Sequence, residues 1–391
     1  MGRNVWLLFC CQALMTAVVS GQVVMSALIG NSLAVDKTVA TLPLAIQMAA
    51  TMAASIPAGI IFARLGRRPG FWLGCVGSAL GSLVFALGVW RGSFALYCLG
   101  AVPAGLGFGI SQHLRFAAAE VAPPAARPRA IALVMTGGVI AALIGPEIVK
   151  RTNALVLPYI FLGTYLSMLA LPLTAAVLLA CAALPPAPAP HVMPVPIKAI
   201  LARPTFLVAV TAGVVAYASM NLVMASTPLQ MMLCGYGVNE SADVIRWHSV
   251  AMYLPGFVTG RLIQRFGTHP VIMAGGGIML CCVAINVAYP PLFTTFLVAL
   301  MLLGLGWNFM FVGATALLSQ AHDAVERVRV QATNDFIVFG SVACSAFASG
   351  AIESTGGWAA LNLTVVPGVL LALALVLWHR LARRIAAPVG G

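Results

Sequence analysis

The sequence predicts an all-α membrane protein with twelve transmembrane helices in two pseudo-symmetric six-helix bundles. Of the 391 residues, 61% are hydrophobic and only 8% are charged, whereas a soluble domain carries roughly 25% charged residues. The apolar runs are about 20 residues long, which is the length of a membrane-spanning helix, whereas a barrel would show short alternating segments. Similar motifs also recur in the two halves of the chain.

Twelve apolar runs are the predicted spans. They cover residues 5–30, 40–62, 71–90, 94–118, 129–149, 157–183, 205–232, 244–264, 270–289, 291–318, 330–352 and 358–379. The proline-rich segment 184–204 predicts an extended cytoplasmic linker between bundles formed by residues 1–183 and 205–391. The first run resembles a signal peptide in composition. It lacks a small-residue cleavage site followed by a soluble domain, so we interpret it as the first span.

The charge of +12 is spread over short basic clusters between the apolar runs. This distribution is typical of loops that set membrane topology and does not indicate nucleic-acid binding. Most basic residues fall on one side when both termini are cytoplasmic, which is the predicted orientation. Asp243 and Glu240 then lie near the outer surface, where we expect them to be solvated. The nine cysteines form no CxxC motif, and a disulfide framework is not expected.

The two halves share motifs at nearly constant displacement. The matches are Gly59, Arg64 and Gly66 with Gly260, Arg265 and Gly267 (displaced by 201), GLGFG at 105 with GLGWN at 304, and Arg127 and Arg129 with Arg327 and Arg329 (displaced by 200). Two six-helix halves related by duplication are a transporter architecture, in which the substrate site lies near the membrane centre between the halves.

The stretch GIIFARLGRRPG resembles the signature loop of the major facilitator superfamily, which joins the second and third helices. Gly59, Arg64, Gly66, Arg67 and Arg68 match the family pattern, and an alanine stands where the family has aspartate. The resemblance implies the major facilitator fold and a loop whose arginines pair with carboxylates and helix ends on the other half to hold one conformation shut. The candidate partners for this gate are Glu120 and Asp335. Alternatively, these arginines only fix topology.

Two residue pairs on the seventh and eighth spans predict a metal site. Met220 and Met224 are four residues apart, as are His248 and Met252, and such pairs share one helix face. Thioethers and a neutral imidazole suit Cu(I) better than Zn(II), Mg(II) or Mn(II). Ordinary packing of methionines is the alternative interpretation of each pair alone, whereas a histidine inside a membrane span more often has a function.

Further sulfur ligands extend this hypothesis. Met48 and Met52 on the second span align with His248 and Met252 at a displacement of 200. They are candidates for a second metal station or for the other wall of one site. Met231 and Cys234, at the outer end of the seventh span, are candidates for copper capture at the entrance, with packing as the alternative.

The paired motifs on helices seven and eight also resemble those of the CcoA-like bacterial copper importers of this superfamily. This resemblance implies copper uptake across the bacterial inner membrane for the assembly of haem-copper oxidase, with copper as the substrate and no bound organic cofactor. It also implies that Cys234 is functional. We expect a monomer in the lipid bilayer that is not an enzyme, with protons as a candidate coupling ion through Asp335 or His248.

Two alternatives remain at this stage. A carrier of the same fold could take an organic solute such as riboflavin, because Trp247, Tyr253, Trp307 and Phe311 are able to stack a flat ring. A membrane haem protein or metalloenzyme is disfavoured, because the chain has a single central histidine and neither CxxCH nor HExxH.

Overall fold

A computed structural model of the protein describes residues 2–123, 127–184, 197–321 and 327–386. These residues form helices joined by short turns. The helices are α1 (Arg3–Leu33), a 3-10 turn (Lys37–Val39), α2 (Leu42–Leu65), α3 (Arg67–Arg91), α4 (Phe94–Ser111), α5 (Leu114–Val121), α6 (Arg127–Thr152), α7 (Leu162–Met168), α8 (Ala170–Ala180), α9 (Ile197–Leu201), α10 (Pro204–Leu233), α11 (Val238–Tyr253), α12 (Gly256–Phe266), α13 (Thr268–Ala288), α14 (Phe293–Leu318), α15 (Arg327–Leu363) and α16 (Val365–Ala386).

The prediction of an all-helical membrane protein with twelve crossings is confirmed. Within the described residues, nine stretches are long and apolar enough to span a membrane, and one of them, Thr333–Ala382, contains both α15 and α16. Helix α2 and the consecutive pair α11–α12 supply the remaining two crossings. We call the side on which α1 begins and α16 ends the terminal side, and the other side the distal side.

The first helix is an integral part of the fold. In its most apolar window, 67% of the residues are buried, and it packs against α6, α8 and α10. The interpretation of this segment as the first span is therefore consistent with its packing. The predicted division into bundles 1–183 and 205–391 stays a prediction, because residues 185–196 of the linker lie outside the described part of the chain.

Several crossings are broken where the sequence alone predicts continuous spans. The eighth crossing ends α11 at Tyr253 and resumes as α12 after Pro255, because proline has no backbone N–H for the helical ladder. Asn308 of α14 stabilises this break: its Nδ2 donates to the Met252 carbonyl at 2.6 Å, and its Oδ1 accepts from the Thr259 hydroxyl at 2.5 Å. The kink in α15 at Gly357, where φ is 74°, lies instead between the predicted spans 330–352 and 358–379.

The duplicated halves share backbone detail as well as sequence. Gly66 and Gly267 end their helices at nearly identical dihedrals, φ 87° ψ 168° and φ 88° ψ 168°, a region essentially restricted to glycine. A Cβ on Gly105 would overlap the Gln47 carbonyl, and one on Gly304 would lie 2.5 Å from the His248 carbonyl. The structure therefore pairs His248 with Gln47 at a displacement of 201, so the predicted alignment of His248 with Met48 is wrong by one residue.

Candidate functional site

Five aromatic side chains of the second half meet in one group, which we call the aromatic cluster. Its members are Tyr217 of α10, Tyr253 of α11, Trp307 and Phe311 of α14, and Phe339 of α15. Trp307 and Phe311 are nearly parallel, with centroids 5.0 Å apart and an interplanar angle of 13°. Tyr217 stands edge-on to both, at 5.3 and 5.2 Å. The cluster thus combines flat faces and ring edges from four helices.

Close helix packing positions the cluster against the first half. Gly138 of α6 has so little space that a Cβ there would lie 2.8 Å from the Tyr253 ring. Tyr253 in turn lies edge-on to Trp307, with centroids 6.2 Å apart. Because α6 belongs to the first half and α11 to the second, the aromatic cluster lies at the interface of the halves, where a carrier of duplicated architecture binds its substrate.

A charged pair joins the halves beside the aromatic cluster. Arg115 of α5 lies 3.9 Å from the Asp335 carboxylate of α15, and Asn334 donates to Asp335 at 3.1 Å. Arg115 also contacts the Met135 sulfur of α6 at 3.9 Å and acts electrostatically on Tyr217. The interface therefore carries a partly exposed cation and anion next to flat rings.

Two nitrogen donors near the aromatic cluster are unused. Trp307 Nε1 and Arg115 Nε are both buried, and neither has a hydrogen-bond partner among the described residues. A buried donor without an acceptor is unfavourable by about 1–3 kcal/mol. These two N–H groups are therefore suited to a ligand that presents acceptors, such as ring carbonyl oxygens.

His248 is fully buried against α14, where its Nδ1 lies 2.7 Å from the Leu300 carbonyl. A carbonyl oxygen only accepts, so the proton of the neutral ring is on Nδ1 and the lone pair is on Nε2. Nε2 is buried and has no partner within the described chain. Met252, one turn later on α11, lies close to Gly304 of α14. The predicted pair on α11 therefore packs on α14.

The predicted pair on α10 is also buried. Met220 is 2% exposed and Met224 is 9% exposed, and both share one hydrophobic core with Met252. Between them, Asn221 donates to the Val342 carbonyl at 3.3 Å and to the Ser345 hydroxyl at 3.1 Å on α15. A copper site built from the four residues stays a prediction.

The additional sulfur positions differ in their surroundings. Met48 is buried, whereas Met52 is partly exposed and its sulfur lies against Gly340 of α15. Met231 is fully buried, while Cys234 is partly exposed and its sulfur accepts from Gln230 Nε2 at 3.4 Å. Beside them, a cleft of about 470 Å³ opens between the halves, lined by residues that include Met232, Tyr236 and Phe161. Metal binding by these sulfurs stays a prediction.

The signature loop contacts its own half. Arg67 forms an ion pair with Glu120 of α5, with Nε 3.0 Å from Oε2. Arg68 donates to the Ala182 carbonyl at 2.6 Å, and Arg64 is exposed. Asp335, the other predicted partner, pairs with Arg115. The gating role predicted for Gly59, Gly66 and these arginines stays a prediction.

A second charged group joins the halves on the distal side, and we call it the distal bridge. Lys150 of α6 lies 3.0 and 2.9 Å from the two carboxylate oxygens of Asp243 on α11. Glu147 of α6 pairs with Arg246 of α11, and Arg246 also lies 3.2 Å from Asp243. The expectation that Asp243 is merely solvated is wrong, because Lys150 pairs with it across the helix interface and Arg246 lies beside it on the same helix.

The sequence found part of the aromatic cluster and missed the rest. Tyr253, Trp307 and Phe311 were expected to stack a flat ring, and they lie in the cluster. Trp247 is 45% exposed on the outside of α11 and does not join it. The sequence does not predict Tyr217 or Phe339. Tyr217 lies one helical turn before Met220 on α10, and its ring contacts Phe339 of α15.

Residues 8–245 match the family model of the Major Facilitator Superfamily. Among curated proteins, the chain is 36% identical over 375 residues to the riboflavin transporter RfnT of Brucella anthropi, covering 95% of this chain and 94% of that protein. It is 27% identical to YdeG of Bacillus subtilis, an uncharacterized transporter of the same type, over 92% of this chain and 87% of that one.

Solved structures agree on the fold. A D-xylose–proton symporter superposes with a TM-score of 0.72 at 13% identity, covering 95% of this chain and 96% of that chain. The human organic anion transporter TETRAN superposes with a TM-score of 0.69 at 14% identity, covering 96% and 99%. With twelve crossings, a duplicated helix–glycine–helix turn and a family model that matches more than half of its length, this chain belongs to the major facilitator superfamily of transporters.

Proposed function

We propose that this protein carries riboflavin, or a closely related flat heteroaromatic solute, into the bacterial cytoplasm. The observation that carries the proposal is the aromatic cluster at the interface of the halves, with the unused N–H groups of Trp307 and Arg115 beside it. An isoalloxazine ring offers a flat face to stack and carbonyl oxygens that accept hydrogen bonds. The likeness to RfnT supports the same cargo.

The orientation and the route follow from the same hypothesis. The arginine-rich loops favour an orientation in a bacterial inner membrane with both termini in the cytoplasm, and in this orientation the distal side faces the periplasm. Alternating access then rocks one half against the other around the aromatic cluster. The distal bridge closes the periplasmic side, and the Arg115–Asp335 pair lies on the cytoplasmic side of the interface, as do the predicted gate residues Arg67 and Glu120.

Copper import is the second candidate function, and one observation favours it. The buried, unpartnered Nε2 of His248 has the protonation state of a metal ligand, because Nδ1 is occupied by the Leu300 carbonyl. In this hypothesis Met220, Met224 and Met252 supply thioethers to the transported ion. The likeness to RfnT and the unused N–H groups make the aromatic cluster the better-supported site.

One experiment separates the two cargoes. Cells lacking their own riboflavin uptake and copper uptake are given this protein, and accumulation of labelled riboflavin and of labelled copper is measured in the same strain. We expect riboflavin accumulation that Trp307→Ala strongly reduces at low riboflavin concentration and that His248→Leu retains. Copper accumulation that requires His248 and Met252, without riboflavin accumulation, would instead establish the second candidate.

A further inference from the structure

One acidic side chain inside a membrane-spanning helix has no partner. Glu353 of α15 is only 6% exposed, and both of its carboxylate oxygens are buried without a hydrogen-bond partner in the described part of the chain. An isolated ionised carboxylate is very unfavourable in such a site, and a group in this position is neutralised instead. Every other acidic side chain discussed above has a cationic or N–H partner.

The position of Glu353 on α15 is set by its neighbours along the helix. It continues the face of Ser345 and Ser349 at intervals of four residues, and Ser345 accepts from Asn221 of α10. Glu353 therefore lies towards the distal end of α10, one turn before the kink at Gly357.

Gly350, three residues before Glu353 on α15, contacts the other half of the carrier. The Gly350 N–H donates to the Thr41 hydroxyl at 3.0 Å, and a Cβ on Gly350 would lie 2.6 Å from that oxygen. Thr41 belongs to the first half and Gly350 to the second, so this contact closes the distal interface beside Glu353. Rocking of the halves, which alternating access requires, separates Thr41 from Gly350 and admits water to the carboxyl.

Among the described residues, the charged groups of the distal side with observed contacts are already engaged, and those of the distal bridge pair with one another. In the turn before α2, Asp36 accepts from Thr38, and Lys37 donates to the Asn31 and Ala34 carbonyls. At the end of α10, Cys234 accepts from Gln230. The tyrosines after α10 and α13 are Tyr236 and Tyr289, and the basic residues of α13 and α16 lie at their terminal-side ends. None of these is a hydrogen-bond partner of Glu353.

We propose that Glu353 is a proton-binding site whose carboxyl is protonated while the Thr41–Gly350 contact is closed. Closing the distal side then requires a proton from the periplasm: an O–H bond forms at one carboxylate oxygen, and the side-chain charge changes from −1 to 0. When the contact opens, water solvates the carboxylate and the proton can leave. This proposal deepens the proposed transport function and rests on it for its place in the cycle.

Infrared spectroscopy of the purified full-length protein tests the site without any substrate. We expect a carbonyl-stretch band of a protonated buried carboxylic acid at neutral pH, which is lost in Glu353→Gln and in Glu353→Met. Because the two replacements differ in polarity, the infrared comparison can still be made with one variant if the other does not fold. Glu240→Gln is the matched control, because Glu240 is an exposed acid at the start of α11 that accepts from the Gly237 N–H, and this variant should keep the band.

A transport measurement tests whether protonation of Glu353 affects the transport cycle. Riboflavin uptake by the wild type should rise as the external pH falls, and Glu353→Gln should lose this dependence. An unchanged band in Glu353→Gln, or an unchanged pH profile of uptake, would overturn the proposal. If riboflavin is not the cargo, uptake is absent in the wild type and in all variants, whereas the infrared comparison still decides whether Glu353 holds a proton.

Discussion

Lys150 of α6 binds both carboxylate oxygens of Asp243 on α11, at 3.0 and 2.9 Å, and thereby joins the two halves of the carrier. The neighbouring Glu147–Arg246 pair has the opposite polarity, so each half contributes one acid and one base. This crossed arrangement fixes the alignment of α6 and α11 as well as their distance, because a shift along the helix axes would bring like charges together.

Asp243→Asn should weaken the distal bridge and favour the state in which the periplasmic side is open. The pair is partly exposed, with side-chain exposures of 24% and 30%, so we expect a loss of about 1 kcal/mol, or roughly fivefold in the balance between conformations. Distance measurements between labels on the distal ends of α6 and α11 would detect the shift.

The matched control for this bridge is Arg151→Ala. Arg151 is 78% exposed and pairs with Glu147 within its own helix, so its removal should leave the balance between conformations unchanged. The charge-swapped variant Lys150→Asp with Asp243→Lys should recover only part of the effect, because the new cation on α11 lies beside Arg246. Equal shifts in Arg151→Ala and Asp243→Asn would show that net charge, and not the bridge, controls opening.

Trp307→Ala should raise the KM for riboflavin uptake. Removing one stacking face from a flat heteroaromatic ligand costs about 1–3 kcal/mol, which corresponds to roughly fivefold to a hundredfold in KM. Trp307→Phe keeps a ring but removes Nε1–H, so it should be intermediate. Trp247→Ala is the control, because Trp247 is 45% exposed and lies outside the aromatic cluster; a similar KM change there would count against the cluster as the binding site.

Gly304→Ala should destabilise the protein and displace α11 from α14. A Cβ at this position would lie 2.5 Å from the His248 carbonyl and 3.0 Å from the Met252 amide nitrogen. These are backbone atoms, so no side-chain rotation relieves the overlap. We expect a cost of about 1–3 kcal/mol, measured as a lower unfolding temperature. Gly277→Ala in α13 has open space around it and should be neutral or slightly stabilising.

Gly66→Ala and Gly267→Ala should each destabilise the protein by about 1–3 kcal/mol. Both glycines have positive φ with ψ 168°, and an L side chain is strained there even though each site has space for a Cβ. Thermal unfolding of the two single variants provides the measurement. Because the turns are equivalent, similar losses are expected, and a loss at only one of them would show that the halves differ in rigidity.

The helices were predictable because lipid imposes a length and an apolar composition on each span. Their breaks were not, because the gap between α11 and α12 depends on Asn308, a side chain from another helix that accepts and donates across it. The displacement of 201 was visible at Gly66 and Gly267, yet His248 was aligned at 200. Backbone contacts of Gly105 and Gly304 were needed to correct this.

The candidate site was only partly predictable for the same reason. Spacing within one helix identifies residues that share a face, such as His248 and Met252, but it does not identify the helix that this face contacts. The structure places that face on α14 at Leu300 and Gly304. No sequence pattern singles out Glu353, because its significance comes from a buried position without a hydrogen-bond partner among the residues that the structure describes.

The near-parallel arrangement of Trp307 and Phe311 also gives the protein an optical property. An indole in this position is a fluorescent donor, and a yellow flavin chromophore bound beside it would accept its excitation energy. With riboflavin as the proposed cargo, we expect binding to quench this tryptophan emission, so that occupancy can be followed without attaching a dye.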